Sequence, residues 1–159
     1  MNDIYKTPDA ELASNTSGDI DNFERFTAWA VFGLSVVTFG VYIMYWFYSR
    51  TKVLNNFHDN KISDVVVYGS LISYAVYFAS SFLPDAAYQD AITLYAIISI
   101  SVVYLVFYLV WLFTFRARLL EVARGHGHLT FRVNPALTFF FQSIYLQYKI
   151  NQYIDNKVD

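Results

Sequence analysis

The most reactive stretch of the sequence is Arg124-Gly125-His126-Gly127-His128. Two imidazoles two residues apart can share a cation, and His58 supplies the remaining histidine. A zinc site wants three or four ligands with thiolate or carboxylate support. The chain has no cysteine and no H-E-x-x-H, so this loop is expected to be solvated and metal-free. Without cysteine there is also no thiolate nucleophile and no disulfide framework. No G-x-S-x-G, no phosphate-cradling glycine loop and no carboxylate pair is present. The sequence therefore nominates no catalytic residue, no cofactor and no enzyme activity.

What remains are hydroxyls inside apolar runs. Tyr68, Ser70, Ser73, Tyr74, Tyr77, Ser80 and Ser81 fall in one run, and Tyr95, Ser99, Ser101, Tyr104 and Tyr108 in the next. They can line a wet path, or they can serve as packing glue. Gly69-x-x-x-Ser73 and Ala75-x-x-x-Ala79 have the small-xxx-small spacing that lets helix backbones approach, which favours glue. The same spacing leaves self-association open.

The elements that carry these groups follow from hydropathy. Hydrophobic residues make up 56% of the 159 and charged residues 15%, against about 25% charged in soluble domains. Residues 26–48, 65–83 and 91–115 hold no Asp, Glu, Lys or Arg. Runs of about 20 apolar residues match the bilayer core. The pattern predicts an all-α integral membrane helical bundle with transmembrane helices over about 26–48, 64–83 and 91–124. A fourth helix over 135–154 is shorter and more polar, interrupted by Gln142, Ser143 and Gln147. Ser63 and Asn134-Pro135 are N-terminal caps, Pro84 stops the second helix, and Gly125 ends the third. Gly40, beside Thr38, is expected to kink the first helix or to make a close contact.

The domain division is an acidic, disordered N-terminal tail over 1–24, a multi-pass helical domain over 25–155, and a short tail over 156–159. Residues 1–25 lack the apolar core of a cleavable signal. Orientation follows the positive-inside rule: 49–64 and 116–132 hold 7 of the 11 Lys and Arg, and 84–90 none, so the loops 49–63 and 116–133 are expected in the cytoplasm. The first run is read as spanning, which puts the tail outside. If Gly40 instead turns it back, the tail is inside. A net charge of −2 without a basic stripe argues against nucleic acid.

One internal echo stands out. Val41-Tyr42-Ile43-Met44-Tyr45 is matched by Ile144-Tyr145-Leu146-Gln147-Tyr148, although five residues in so aromatic a chain are within the reach of chance.

Thr38-x-Gly40-x-Tyr42-x-x-x-Trp46-x-Tyr48, followed by Arg50 and Leu54-Asn55, resembles the domain-of-unknown-function 4234 family of small bacterial inner-membrane proteins. The ending Tyr145-Leu146-Gln147-Tyr148 with Ile150-Asn151 is similar. The resemblance implies a location and an architecture and supplies no activity. The residues expected to matter, for structure or interaction, are Thr38, Gly40, Tyr42, Trp46, Arg50, Asn55, Gly69, Ser73, Tyr145, Gln147 and Asn151. The expected function is contact-making in the inner membrane, between this chain, the lipid bilayer and an unidentified membrane or cytoplasmic protein. A subunit of a small oligomeric channel or transporter is the alternative.

Overall fold

The computed structural model describes residues 23–57 and 60–156. Five helices follow in order: α1 Ala28–Val37, α2 Val41–Asn56, α3 Asp64–Ser80, α4 Ala91–Gly125 and α5 Pro135–Asn156, with a 3-10 turn at Asp85–Gln89 before α4. The described residues contain no strand, as expected of an all-α chain. Among them, α4 is the one helix long and apolar enough to cross a membrane, while α1 and α3 are apolar but shorter. A bundle of three or four spanning helices is therefore more than the helix lengths carry. The expected disordered tail falls mostly on residues 1–22, and His58 and 157–159 also lie outside the described residues.

Local chemistry sets the boundaries. The Ser63 hydroxyl accepts from Val65 N, capping α3. Asp90 caps α4, accepting from Thr93 N at 2.8 Å and from the Thr93 hydroxyl at 2.7 Å. Those two hydrogen bonds hold its carboxyl below the usual carboxylate range. Asn134 caps α5, accepting from Ala136 N and Leu137 N. At the end of α4, His128 N donates to Ala123 O and Gly127 N to Arg124 O, a Schellman pair. The left-handed residue is Gly127 (φ 88°), not Gly125, which stays helical.

The first apolar run is not one helix over 26–48. It breaks at Thr38-Phe39-Gly40, where Phe39 (φ 51°) and Gly40 (φ 88°) are both left-handed. Phe39 N donates to Val36 O and Gly40 N to Ser35 O, which closes α1. The Thr38 hydroxyl donates to Leu34 O and accepts from Tyr42 N, so one side chain serves both helix ends. The chain then returns. Phe23 packs edge-on against Phe57 at 5.9 Å, Arg50 reaches the Glu24 carbonyl, and Phe26 lies 6.4 Å from the ring of Tyr42. The lead-in 23–27 thus runs antiparallel beside α2, and the segment enters and leaves at the same end. The expectation of one continuous helix over 26–48 is corrected: two consecutive left-handed residues reverse the chain.

The last segment repeats the plan. α5 is broken at Gln142 (φ 43°, ψ −123°) rather than continuous over 135–154. Its second half runs back beside its own lead-in: the Tyr145 hydroxyl accepts from Asn134 N, Lys149 sits 5.0 Å over the Phe131 ring, and Tyr153 packs on Phe131 and His128. Phe39 and Gln142 are the two described non-glycine residues with positive φ. Each stands three residues before the tyrosine of the echo, Tyr42 or Tyr145. The echo therefore marks a repeated unit of lead-in, short helix, left-handed tip and returning helix, built twice from the same end of the molecule.

Between these hairpins, α3 and α4 pack antiparallel. They pack tightly at Gly69, where a Cβ would come within 2.6 Å of the Phe107 ring. Rings of Tyr74, Tyr77, Tyr104 and Tyr108 continue the seam. α3 stops at Ser80, three residues short of the expected Leu83, because 81–83 turn into the 3-10 segment. The hairpin tips reach this tyrosine level: the Tyr74 hydroxyl donates to Phe39 O and the Tyr108 hydroxyl to Gln142 Oε1. From Tyr108 back to Ala91, α4 runs on for roughly 25 Å at about 1.5 Å per residue. One end is thus wide, where the two hairpins pack on each other and on α4, and the other is α3 and α4 alone.

Gly40→Leu is expected to lower the thermal midpoint of the detergent-solubilised protein, since a left-handed non-glycine residue costs about 1–2 kcal/mol. Gly33→Leu, where an added Cβ meets nothing within 4 Å, is expected to change it little. Equal midpoints for the two variants would contradict the tip geometry.

Candidate functional site

The two hairpins are joined by a buried chain of hydrogen bonds. Trp46 Nε1 donates to Gln147 Oε1 at 2.8 Å, Gln147 Nε2 to Asn151 Oδ1 at 2.9 Å, and Asn151 Nδ2 to Phe26 O at 2.7 Å. Its direction is forced. An indole only donates and a backbone carbonyl only accepts, so both amides must point their oxygens towards Trp46 and their nitrogens towards Phe26. Trp46 and Gln147 are buried, where an unmade hydrogen bond is expensive. Apolar packing encloses them: the Trp46 ring lies against Phe47 and Phe115, and Phe47 against Tyr108 and Trp111.

Helix periodicity makes the arrangement possible. Gln147 and Asn151 are one turn apart on α5, so their side chains stack on one face. Trp46 comes from α2, one turn after Tyr42, whose ring rests on Phe26. A second buried bond, Trp111 Nε1 to the Thr51 hydroxyl at 2.8 Å, ties α4 to α2.

Arg50 lies one turn beyond Trp46 on α2. It is 7% exposed, donates through Nη2 to Glu24 O at 3.1 Å, and lies 5.8 Å above the Phe23 ring. Its Nε has no partner among the described residues. Beside it lies a cavity of about 370 Å³ lined by Tyr42, Tyr45, Ser49 and Glu24 among others. Arg50 pins the lead-in to α2 by donating to backbone through one guanidinium nitrogen.

The residues singled out from sequence fall into three places. Thr38 and Gly40 form the first tip. Trp46, Gln147 and Asn151 make the buried chain, with Tyr42, Arg50 and Tyr145 holding the two lead-ins against their returning helices. Asn55 works alone at the end of α2, where its amide donates to Ile62 O and accepts from Ile62 N, closing the loop into α3. Gly69 and Ser73 lie apart in the α3–α4 seam, where the Ser73 hydroxyl turns to Gly69 O. Sequence reasoning missed Thr51, Trp111 and Arg116, whose guanidinium donates twice to Val133 O. Their partners are distant in sequence or are backbone carbonyls, and no local pattern marks them. Gln142 did carry a signal, as a polar residue in an apolar run.

The two described histidines are each engaged elsewhere. His126 Nδ1 lies 2.8 Å from Val122 O, and the His128 ring packs on Tyr153. Among the described residues, no three His, Cys, Asp or Glu side chains are grouped to hold a metal.

The model of the family described as domain of unknown function (DUF4234) matches residues 26–156. The chain belongs to this family. The match begins at Phe26, whose carbonyl ends the buried chain, and takes in both hairpins, so the family unit contains the whole hydrogen-bonded joint. No curated protein and no solved structure matches the chain.

Gln147→Leu strands the buried Trp46 indole and takes a partner from the half-buried Asn151 amide, and an unsatisfied buried group costs about 1–3 kcal/mol. The variant is expected to unfold several degrees below the wild type in detergent. Trp46→Phe is expected to do the same, and the double variant to lose less than the sum of the two. Additive losses would show that the two side chains do not share one bond.

Proposed function

We propose that the chain is a membrane-embedded, non-enzymatic protein of the bacterial inner membrane that acts through contacts with a protein partner, with its wide end towards the cytoplasm. The supporting observation is how α3 and α4 treat water. Along their length they expose apolar side chains, including Val65, Ile72, Ile92 at 80% and Val102, which a bilayer accepts and water does not. Small hydroxyls on them turn back onto their own helices. Ser70 donates to Val66 O, Ser73 to Gly69 O, Ser99 to Tyr95 O and Ser101 to Ile97 O. Hydroxyls spent on helix carbonyls offer little to a permeating ion, and conduction paths usually place charge or free carbonyls at a filter. This favours contact-making over a channel or transporter subunit.

Charge gathers at the wide end, where the second half of α2, the end of α4 and the loops after them hold most of the cations. Arg118 is paired with Glu121 at 2.6 Å and Arg116 is used on Val133 O, whereas Arg124 and Arg132 are exposed. On the positive-inside rule this end faces the cytoplasm, and it is the end at which a soluble or membrane partner would meet polar groups of this chain.

Purified protein in liposomes is expected to show no conductance or solute flux above empty vesicles. Photo-cross-linking in cells from positions within 116–132 or the tail 1–24 is expected to capture a distinct partner. Reproducible flux that Ser73→Leu or Ser99→Leu abolishes, with no partner captured, would replace this reading with the channel or transporter one.

A further inference from the structure

Arg132 of the 126–134 loop and Lys149 of α5 have an address that neither the family nor the contact-making role assigns. A cavity of about 280 Å³ opens between this loop and the second half of α5. His128, Thr130, Arg132, Lys149 and Gln152 give it a polar lining, and no carboxylate is among its walls. Arg25 is paired with Asp155 and Arg118 with Glu121. Arg132 and Lys149 have no such carboxylate among the described residues. The Lys149 ammonium is half-buried, seated over the Phe131 ring and donating to Gln152 Oε1. A cation partly withdrawn from water with no counter-charge is unfavourable by itself and is relieved when an anion joins it.

The cavity is also built. Phe131, Val133 and Tyr153 are buried behind it, and the paired donation from Arg116 fixes Val133 O. The His128 ring is held edge-on at 4.7 Å from Tyr153. The loop cannot collapse onto its own charges without breaking these contacts. Beside the cavity Leu129 is 77% exposed, an apolar residue at the rim of a cationic site.

We propose that this cavity binds a phosphate group, held between Arg132 and Lys149 with His128, Thr130 and Gln152 as further hydrogen-bonding groups. Arg supplies a fork that matches phosphate oxygens, and Lys a point charge. Two sources present this chemistry: the headgroup of an anionic phospholipid, or a soluble phosphate compound. A headgroup fits the position of Leu129, and basic pockets at the cytoplasmic side of membrane helices commonly take one. The lipid source rests on the membrane-embedded reading, whereas the soluble source does not, so the two can fail separately.

The test uses the full-length protein in detergent and has two arms. Native mass spectrometry reads retention of phosphatidylglycerol against phosphatidylcholine, and thermal unfolding reads titration with inorganic phosphate. At least one arm is expected to show binding by the wild type. Arg132→Gln and Lys149→Gln are each expected to weaken that binding about tenfold, with Arg124→Gln, outside the cavity, changing it less than twofold. Selective retention of phosphatidylglycerol without a phosphate effect assigns the site to a lipid headgroup. A phosphate-dependent rise in unfolding temperature without lipid preference assigns it to a soluble compound. Arg132 is an exposed loop residue, so its variant stays informative if Lys149→Gln fails to fold. No binding by the wild type in either arm, or binding that Arg132→Gln leaves unchanged, would overturn the proposal.

Discussion

The structure depends on one carboxamide. Gln147 is fully buried and must accept from a donor-only indole while donating to Asn151. In a low-dielectric interior each of these bonds is strong, and each is costly to leave unmade. That constraint fixes the distance between α2 and α5 and, through Asn151, the position of Phe26 O. Apolar packing alone, between surfaces as aromatic as these, would tolerate sliding. A directional chain of three hydrogen bonds has one register. Once it is made, the two hairpins form one joint, and Arg50 and Tyr145 hold their lead-ins in place.

The left-handed tips are the counterpart of this joint. Phe39 and Gln142 occupy conformations that cost non-glycine residues of order 1–3 kcal/mol. Each tip is also touched by a tyrosine from the α3–α4 pair: Tyr74 donates to Phe39 O and Tyr108 to Gln142 Oε1. The hairpins are thus fastened at both ends, by the amide chain near the wide end and by tyrosine hydroxyls at the tips. A cavity of about 300 Å³ between the tips, lined by Phe32, Ser35, Gln142 and Ser143 among others, lies where the two units meet. The cross-section falls from two hairpins plus two helices to two helices alone, an asymmetry that two hairpins entering from one end produce by themselves.

Much of this was legible in the sequence. Charge-free runs pointed to the helices, and Ser63 and Asn134 sit where capping chemistry puts them. Gly40 and Gln147 stood out as a glycine and an amide in apolar surroundings. Hydropathy could not say whether residues 26–48 span or fold back, because both solutions need the same apolar side chains. The difference lies in two backbone dihedrals at Phe39 and Gly40, and a phenylalanine gives no hint of a positive φ. The echo around Tyr42 and Tyr145 looked like coincidence for a similar reason. Its meaning resides in the residue three positions earlier, where Phe39 and Gln142 share a positive φ and no chemistry. Trp46 and Gln147 were each singled out, yet their pairing across 101 residues follows from the joint and not from either motif.

The central claim is that the first hairpin enters and leaves at one end. Single cysteines at Arg25, Asn60 and Ala86, introduced into a chain that has none, can be labelled with a membrane-impermeant maleimide in intact cells and again after permeabilisation. Arg25→Cys and Asn60→Cys should share one accessibility and Ala86→Cys the other, because α3 and α4 carry residue 86 to the narrow end. Labelling that puts Arg25→Cys with Ala86→Cys, and apart from Asn60→Cys, would mean that residues 26–48 cross the membrane and would contradict the re-entrant joint.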